Sequence, residues 1–81
     1  METKIELYKK AFIDSFVIEN TVLEQLKYQD IVEWDSVGHM SLMAALEETF
    51  KIEMSIDDII DFSSFAKGKE ILKKYNVDFN E

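Results

Sequence analysis

The sequence predicts an all-α protein, a small four-helix bundle with three longer helices, a short third helix and a long loop between helices one and two. Three observations carry this. Apolar residues recur every three or four positions in separate stretches, the spacing of one helical face. No stretch shows the apolar–polar alternation of a half-buried strand. Proline is absent and glycine occurs only at Gly38 and Gly68, so nothing marks a linker, repeat or second domain. The 81 residues read as one domain, 1–81, with 76–81 as a loose tail.

The first helix runs roughly from Thr3 to Val17, where Ile5, Tyr8, Phe12 and Phe16 form one apolar stripe. From Ile18 to Asp35 the pattern weakens into an ordered loop. Thr21-Val-Leu-Glu24 offers a capping box and a short helical turn. Val22, Leu23, Leu26, Tyr28, Ile31 and Val32 predict that this loop packs down on the bundle. The second helix spans about Ser36 to Phe50 or Lys51, with Asp35 as its N-cap and His39, Leu42, Leu46 and Phe50 toward the core. Ser36, Met40, Met43, Ala44 and Glu47 lie on the adjacent side, with Val37 and Glu48 at its edge. Ser55 caps a short helix around Asp57 to Asp61, whose early acids suit the positive end of the helix dipole. Ser63 or Ser64 starts a last helix to about Tyr75, with Phe65, Ile71, Leu72 and Tyr75 facing inward.

Composition narrows the function. The net charge is −8, which argues against nucleic-acid binding, and a hydrophobic content of 47% is too high for a disordered chain. Without cysteine there is neither a disulfide framework nor a thiolate nucleophile, and one histidine cannot form a histidine cluster for a metal. No apolar run approaches the roughly 18 residues of a membrane span, and Met-Glu-Thr-Lys-Ile-Glu is not a signal peptide. A cytoplasmic, membrane-free monomer is expected. Nine acids lie between Asp30 and Asp61 against one base, Lys51, whereas the flanks hold eight of each. That middle is either a solvating face or a docking surface for basic partners.

Ser36 stands at the start of a long helix, behind Trp34 and Asp35. No catalytic triad can be assembled around it: His39 is three residues on along the same helix, and no strained elbow or glycine-rich oxyanion loop accompanies it. Enzymatic hydrolysis is therefore not expected. A helix start does suit a phosphate ester, because its free N–H groups and dipole stabilise an anion there. Val37, Met40 and Met43 would then offer an apolar landing surface, unless the methionines simply cover the core. His39 is either a packed histidine bonded to the preceding loop or a contact for a group carried on Ser36. Trp34 is either a loop anchor or a platform for such a group.

Asp35-Ser36-Val37, followed by Leu42-Met-Ala-Ala-Leu46-Glu-Glu-Thr-Phe50, resembles the acyl carrier proteins, in which Asp-Ser-Leu opens a helix ending in Leu-Glu-Glu-x-Phe. The likeness continues through Lys51-Ile-Glu-Met54, Asp57-Asp58-Ile59, Phe62 and Ser63-Ser64-Phe65, and covers about two-thirds of the chain. It implies a bundle of acyl-carrier type and a carrier rather than an enzyme. Ser36 would receive 4′-phosphopantetheine from coenzyme A, through a magnesium-dependent phosphopantetheinyl transferase. The arm would carry an acyl or aminoacyl group as a thioester, its sulfur brought by the cofactor. Asp35 would position the site. Val37, Met40, Glu47 and Glu48 would meet the transferase and the acyl-activating, condensing or acyl-transfer enzymes. Glu33-Trp34 replaces the glycine that fatty-acid carriers have before Asp-Ser, and Gly38, His39 and Ser41 replace their early acids. In this the chain is similar to specialised free-standing carriers of polyketide, aminoacyl or surface-glycan pathways. Phe12, Phe16, Tyr28, Phe50, Phe62 and Phe65 are expected to fill the bundle and so favour short or polar cargo. The alternative is a non-covalent acidic helical adaptor that docks a basic partner.

Overall fold

The apolar stripe of the first helix organises the molecule. The computed structural model describes residues 3–18 and 20–79, with the backbone alone at 20–22. Helix α1 (Lys4–Phe16) begins at Thr3, whose side chain accepts from the Glu6 N–H, and ends at Val17 in the left-handed region at φ 52°. Tyr8, Phe12 and Phe16 are fully buried and Ile5 is half-buried. Each such ring contributes about 1.5–3 kcal/mol on leaving water. They meet the rest of the core edge-on, tilted or, for Phe16 on Trp34, stacked and offset, with Phe12 5.1 Å from Phe65 and 5.5 Å from Trp34 between ring centroids. Those geometries suit the quadrupoles of aromatic rings.

A 3-10 turn (Asn20–Gln25) stands where the short helical turn was expected. The side chain of Thr21, and hence the capping box, lies outside the described residues, as does that of Val22. Leu23 and Leu26 are buried and Ile31 is half-buried, so the loop packs down through these residues. Val32 is the correction: it is 89% exposed, because the turn that buries Trp34 directs Val32 to solvent. Tyr28 sits at the surface boundary.

Helix α2 (Ser36–Phe50) packs along α1 and buries Leu42, Met43 and Leu46. Met43 is thus core, whereas His39 and Phe50 are half-buried and Met40 is exposed. Helix α3 (Ile56–Asp61) is capped by Ser55, and helix α4 (Phe65–Lys73) by Ser64. The loop carrying Leu26, Lys27 and Tyr28 is pinned to the start of α4: Tyr28 N–H donates to the Ser63 carbonyl and Phe65 N–H to that of Leu26, both at 2.9 Å. There is no strand among the described residues, and the small all-α bundle is as the periodicity predicts.

Two expectations at the end of the chain are corrected. Helix α4 stops at Lys73, and tighter bonds from the Tyr75 and Asn76 N–H groups to Leu72 and Lys73 carry the chain through a turn. The tail is not loose over its described part. Val77 is buried, and Phe79 lies 5.1 Å from the Tyr8 ring and 6.3 Å from that of Phe50. An apolar residue that reaches a core edge is held there whatever its place in the sequence. Asn80 and Glu81 fall outside the described residues.

Tyr8 crosses the bundle to donate its hydroxyl to the Phe65 carbonyl at 2.6 Å, and its burial pushes the phenol well above the ordinary tyrosine range. Gly68 makes that crossing possible, since a Cβ there would come within 2.2 Å of both the Tyr8 hydroxyl and the Phe62 ring. Gly68→Ala gains about 1 kcal/mol of helix propensity, but overpacking costs about 1–3 kcal/mol. With neighbours as close as 2.2 Å the steric effect wins. Urea unfolding of this variant should give a lower midpoint with an unchanged slope.

Candidate functional site

Ser36 is the first residue of α2 and is exposed. Its position follows from three local constraints. Asp35 is extended, and its carboxylate accepts from the Gly38 N–H at 2.8 Å, closing the cap. Gly38 lets the first turn of α2 lie directly on the preceding loop; a Cβ there would sit 1.9 Å from the Glu33 carbonyl oxygen, a backbone atom with no freedom to yield. Trp34 anchors the same loop from below. It has no exposed surface, stacks on Phe16 at 5.4 Å, and is the loop anchor rather than an exposed platform.

His39 is one turn beyond Ser36 on α2. Its Nδ1 accepts from the Trp34 indole N–H at 2.9 Å, and its Nε2 lies 2.7 Å from the Ile59 carbonyl oxygen in α3. An indole nitrogen can only donate, so the ring proton sits on Nε2 and is donated to Ile59. The histidine is therefore bonded to the preceding loop, as one of its two sequence readings has it.

Beside Ser36 an open cleft of about 340 Å³ runs between α2 and α3, at the small end of the range for ligand pockets. Ser36, His39 and Met40 supply one wall and Ile59 and Ile60 the other; Phe62, Ser63 and Tyr28 close the far side. The lining is mostly apolar. Val37 and Met40 are exposed next to the serine, and Ile56 and Ile60 are exposed on α3. This apolar rim of α3 was missed in the sequence, although Ile56 and Ile60 stand four apart, on one face of a helix too short to bury it.

Glu47 and Glu48 are not brought to the serine. They lie eleven and twelve positions further along the helix, about 17 Å away at 1.5 Å per residue. Glu47 accepts from the Met54 N–H at 2.9 Å and so holds the turn into α3, while Glu48 is exposed. Of the nine acids in the middle of the chain, Asp58 is buried, Glu47 half-buried and the other seven exposed. Among the described residues no group of three His, Asp or Glu side chains converges as a metal site.

Asp58 does more than complement a dipole. Its carboxylate accepts from the Lys74 ammonium and the Tyr75 hydroxyl, each at 2.5 Å, and Tyr75 in turn accepts from the Ser55 N–H at 2.9 Å. These partners, Lys74 first and then Tyr75, hold the Asp58 carboxyl below the usual aspartate value. The same ion pair holds the Lys74 ammonium above the usual lysine value. Nothing local in the sequence signals this anchor, because Lys74 is 16 residues away.

The chain matches no protein-family model, and comparison with curated proteins and with solved structures likewise finds no match.

Because the Asp58 pKa is lowered on folding, its contribution is complete above the ordinary aspartate value of 3.8 and is lost as pH falls through the lowered one. The Lys74 contribution is present below 10.5 and is lost as pH rises through its raised value. The melting temperature of the wild type should therefore fall as pH drops below the ordinary aspartate value. Asp58→Asn should melt lower at neutral pH and show a shallower acid decline; matching acid slopes in the two proteins would rule this anchor out.

Proposed function

We propose that this chain is a free-standing carrier, with Ser36 as the point of attachment for 4′-phosphopantetheine and with no catalytic activity of its own. The observation that supports it best is the coincidence of an exposed serine hydroxyl at a helix start with an open apolar cleft alongside. Asp35 occupies only the Gly38 N–H, leaving those of Ser36 and Val37 at the positive end of α2 for an ester phosphate. In the transfer, the Ser36 oxygen would form the new phosphodiester bond as the pyrophosphate of coenzyme A breaks, its hydroxyl proton passing to a base of a separate magnesium-dependent transferase and adenosine 3′,5′-bisphosphate leaving. When bound, the group supplies a thiol on which an acyl or aminoacyl cargo rides as a thioester, the sulfur that a chain without cysteine lacks.

Val37 and Met40 flank the serine and, with Asp35, make the part of the partner face nearest to it. Glu48 and the other exposed acids would steer basic partner enzymes, which accelerates encounter more than it prolongs it. Glu47, tied to the Met54 N–H, serves the turn at least as much as any partner. The residues around Ser36 (Glu33-Trp34 before it, Gly38, His39 and Ser41 after it) favour a specialised pathway over the housekeeping fatty-acid one; the reading takes the carrier as a cytoplasmic monomer. Among the described residues no helix is long and apolar enough to cross a membrane.

The decisive experiment is the intact mass after incubation with coenzyme A, magnesium and a broad-specificity phosphopantetheinyl transferase. The wild type should gain one phosphopantetheine and Ser36→Ala none. A folded wild type that gains nothing from several transferases would turn the reading to the acidic adaptor, in which Ser36→Ala is silent and Glu48→Lys disrupts partner binding.

Cargo length follows from packing. Phe12, Phe16, Phe62 and Phe65 fill the interior, whereas Tyr28 and Phe50 lie at its edge. The Phe12 ring lies 5.1–6.2 Å from those of Phe16, Phe62 and Phe65, so a long chain would have to part them, and the reading confines cargo to the surface cleft and favours short or polar groups. Loading long acyl chains onto the arm should shift the NMR signals of Met40 and Ile60 and leave Phe12 and Phe65 unmoved. New contacts from the chain to Phe12 or Phe65 would overturn this.

A further inference from the structure

Helix α3 has only six residues, turns Ile56 and Ile60 to solvent and packs only the half-buried Ile59 against the core, so its apolar contact is small. A helix this short is unstable by itself. Polar bonds at two adjacent residues add to that contact. Asp58 is bonded to Lys74 and Tyr75 beyond the end of α4, and the Ile59 carbonyl accepts from His39 on α2. Ile59 is among the last four residues of α3, whose carbonyls have no partner within the helix.

The other side of His39 is equally constrained. Trp34 is completely buried, and its indole N–H has His39 Nδ1 as its acceptor. The imidazole lies nearly parallel to the indole, at 16°, and meets the rings of Tyr28 and Phe62 edge-on. One side chain thus joins the loop before Ser36, helix α2 and helix α3 in a chain of two hydrogen bonds. The Ser36 cleft lies between the last two.

We infer that His39 is a positioning residue for the Ser36 cleft: its bond to the Ile59 carbonyl holds α3 as the facing wall, and its bond from Trp34 fixes the ring in the tautomer that makes this possible. The two bonds are separable by chemistry. Asparagine at position 39 places an oxygen near the position of Nδ1 and can still accept from Trp34, but does not reach Ile59. Glutamine places an N–H near the position of Nε2 and can still donate to Ile59. What the clamp means for a group on Ser36 rests on the carrier reading; the clamp itself does not.

The test is amide hydrogen exchange on the apo protein. Losing one hydrogen bond of ordinary strength should make the α3 amides exchange roughly fivefold faster in His39→Asn. Those of α1 should stay as protected as in the wild type, and His39→Gln should keep α3 exchange close to the wild-type rate. Equal acceleration in both variants, acceleration only in His39→Gln, or none in either would overturn the inference. Should the variants not fold, the wild type decides. Its ¹⁵N ring shifts must show a protonated Nε2 and an unprotonated, accepting Nδ1, and the opposite tautomer refutes the clamp. A Ser36 that takes no phosphopantetheine would leave all these results unchanged, so the two ideas stand or fall separately.

Discussion

A buried indole must find an acceptor for its single N–H, and in this protein that requirement falls on Trp34. The ring is fully enclosed by α1 and its own loop, against Phe12 and Phe16. Left unpaired, its N–H would cost about 1–3 kcal/mol, comparable to what burying one more apolar side chain contributes. His39 meets the requirement, and doing so commits its other nitrogen to donating toward α3. The loop, the start of α2 and the placement of α3 thus depend on one polar atom in an apolar setting. Among the described residues every buried side-chain polar atom has a partner.

The bundle is consequently built in two styles. Helices α1, α2 and α4 are joined by apolar contact, with aromatic rings meeting between α1 and α4 and close packing made possible by Gly68. Helix α3 is joined largely by hydrogen bonds and an ion pair, with Ile59 half-buried against the core and Ile56 and Ile60 outside. This division places apolar side chains at the surface beside Ser36 without loosening the core. It also links the α3 side of the molecule to pH, through Asp58 and Lys74.

On the carrier proposal these features work together. The hydroxyl is presented at a helix start, the cleft lies alongside it, and the exposed acids of the middle stretch give this part of the chain a negative potential. Such a field acts over about 10 Å at moderate salt, so it guides approaching partners while the apolar rim of Val37, Met40 and Ile60 makes the contact. Glu47 is not free for that purpose, because its carboxylate accepts from the Met54 N–H and holds the turn into α3.

The elements of the fold were legible because their signals are local. The stripe of Tyr8, Phe12 and Phe16 repeats with the helical period, and Asp35, Ser55 and Ser64 cap helices by accepting from N–H groups three residues on. Ser36 was legible for the same reason, since a cap and the residue after it define a helix start. Other features arise only when helices meet. Asp58 reads as a dipole partner until Lys74 and Tyr75 fold back on it. The tail reads as loose until Phe79 reaches Tyr8, and Val32 reads as core until the turn around Trp34 directs it outward. His39 carried two readings that sequence could not separate, because one of its bonds spans 20 residues. Periodicity and capping need only neighbours along the chain, and the sequence determines them. Which polar group finds which partner is set by the approach of distant elements, and only the tertiary structure decides that.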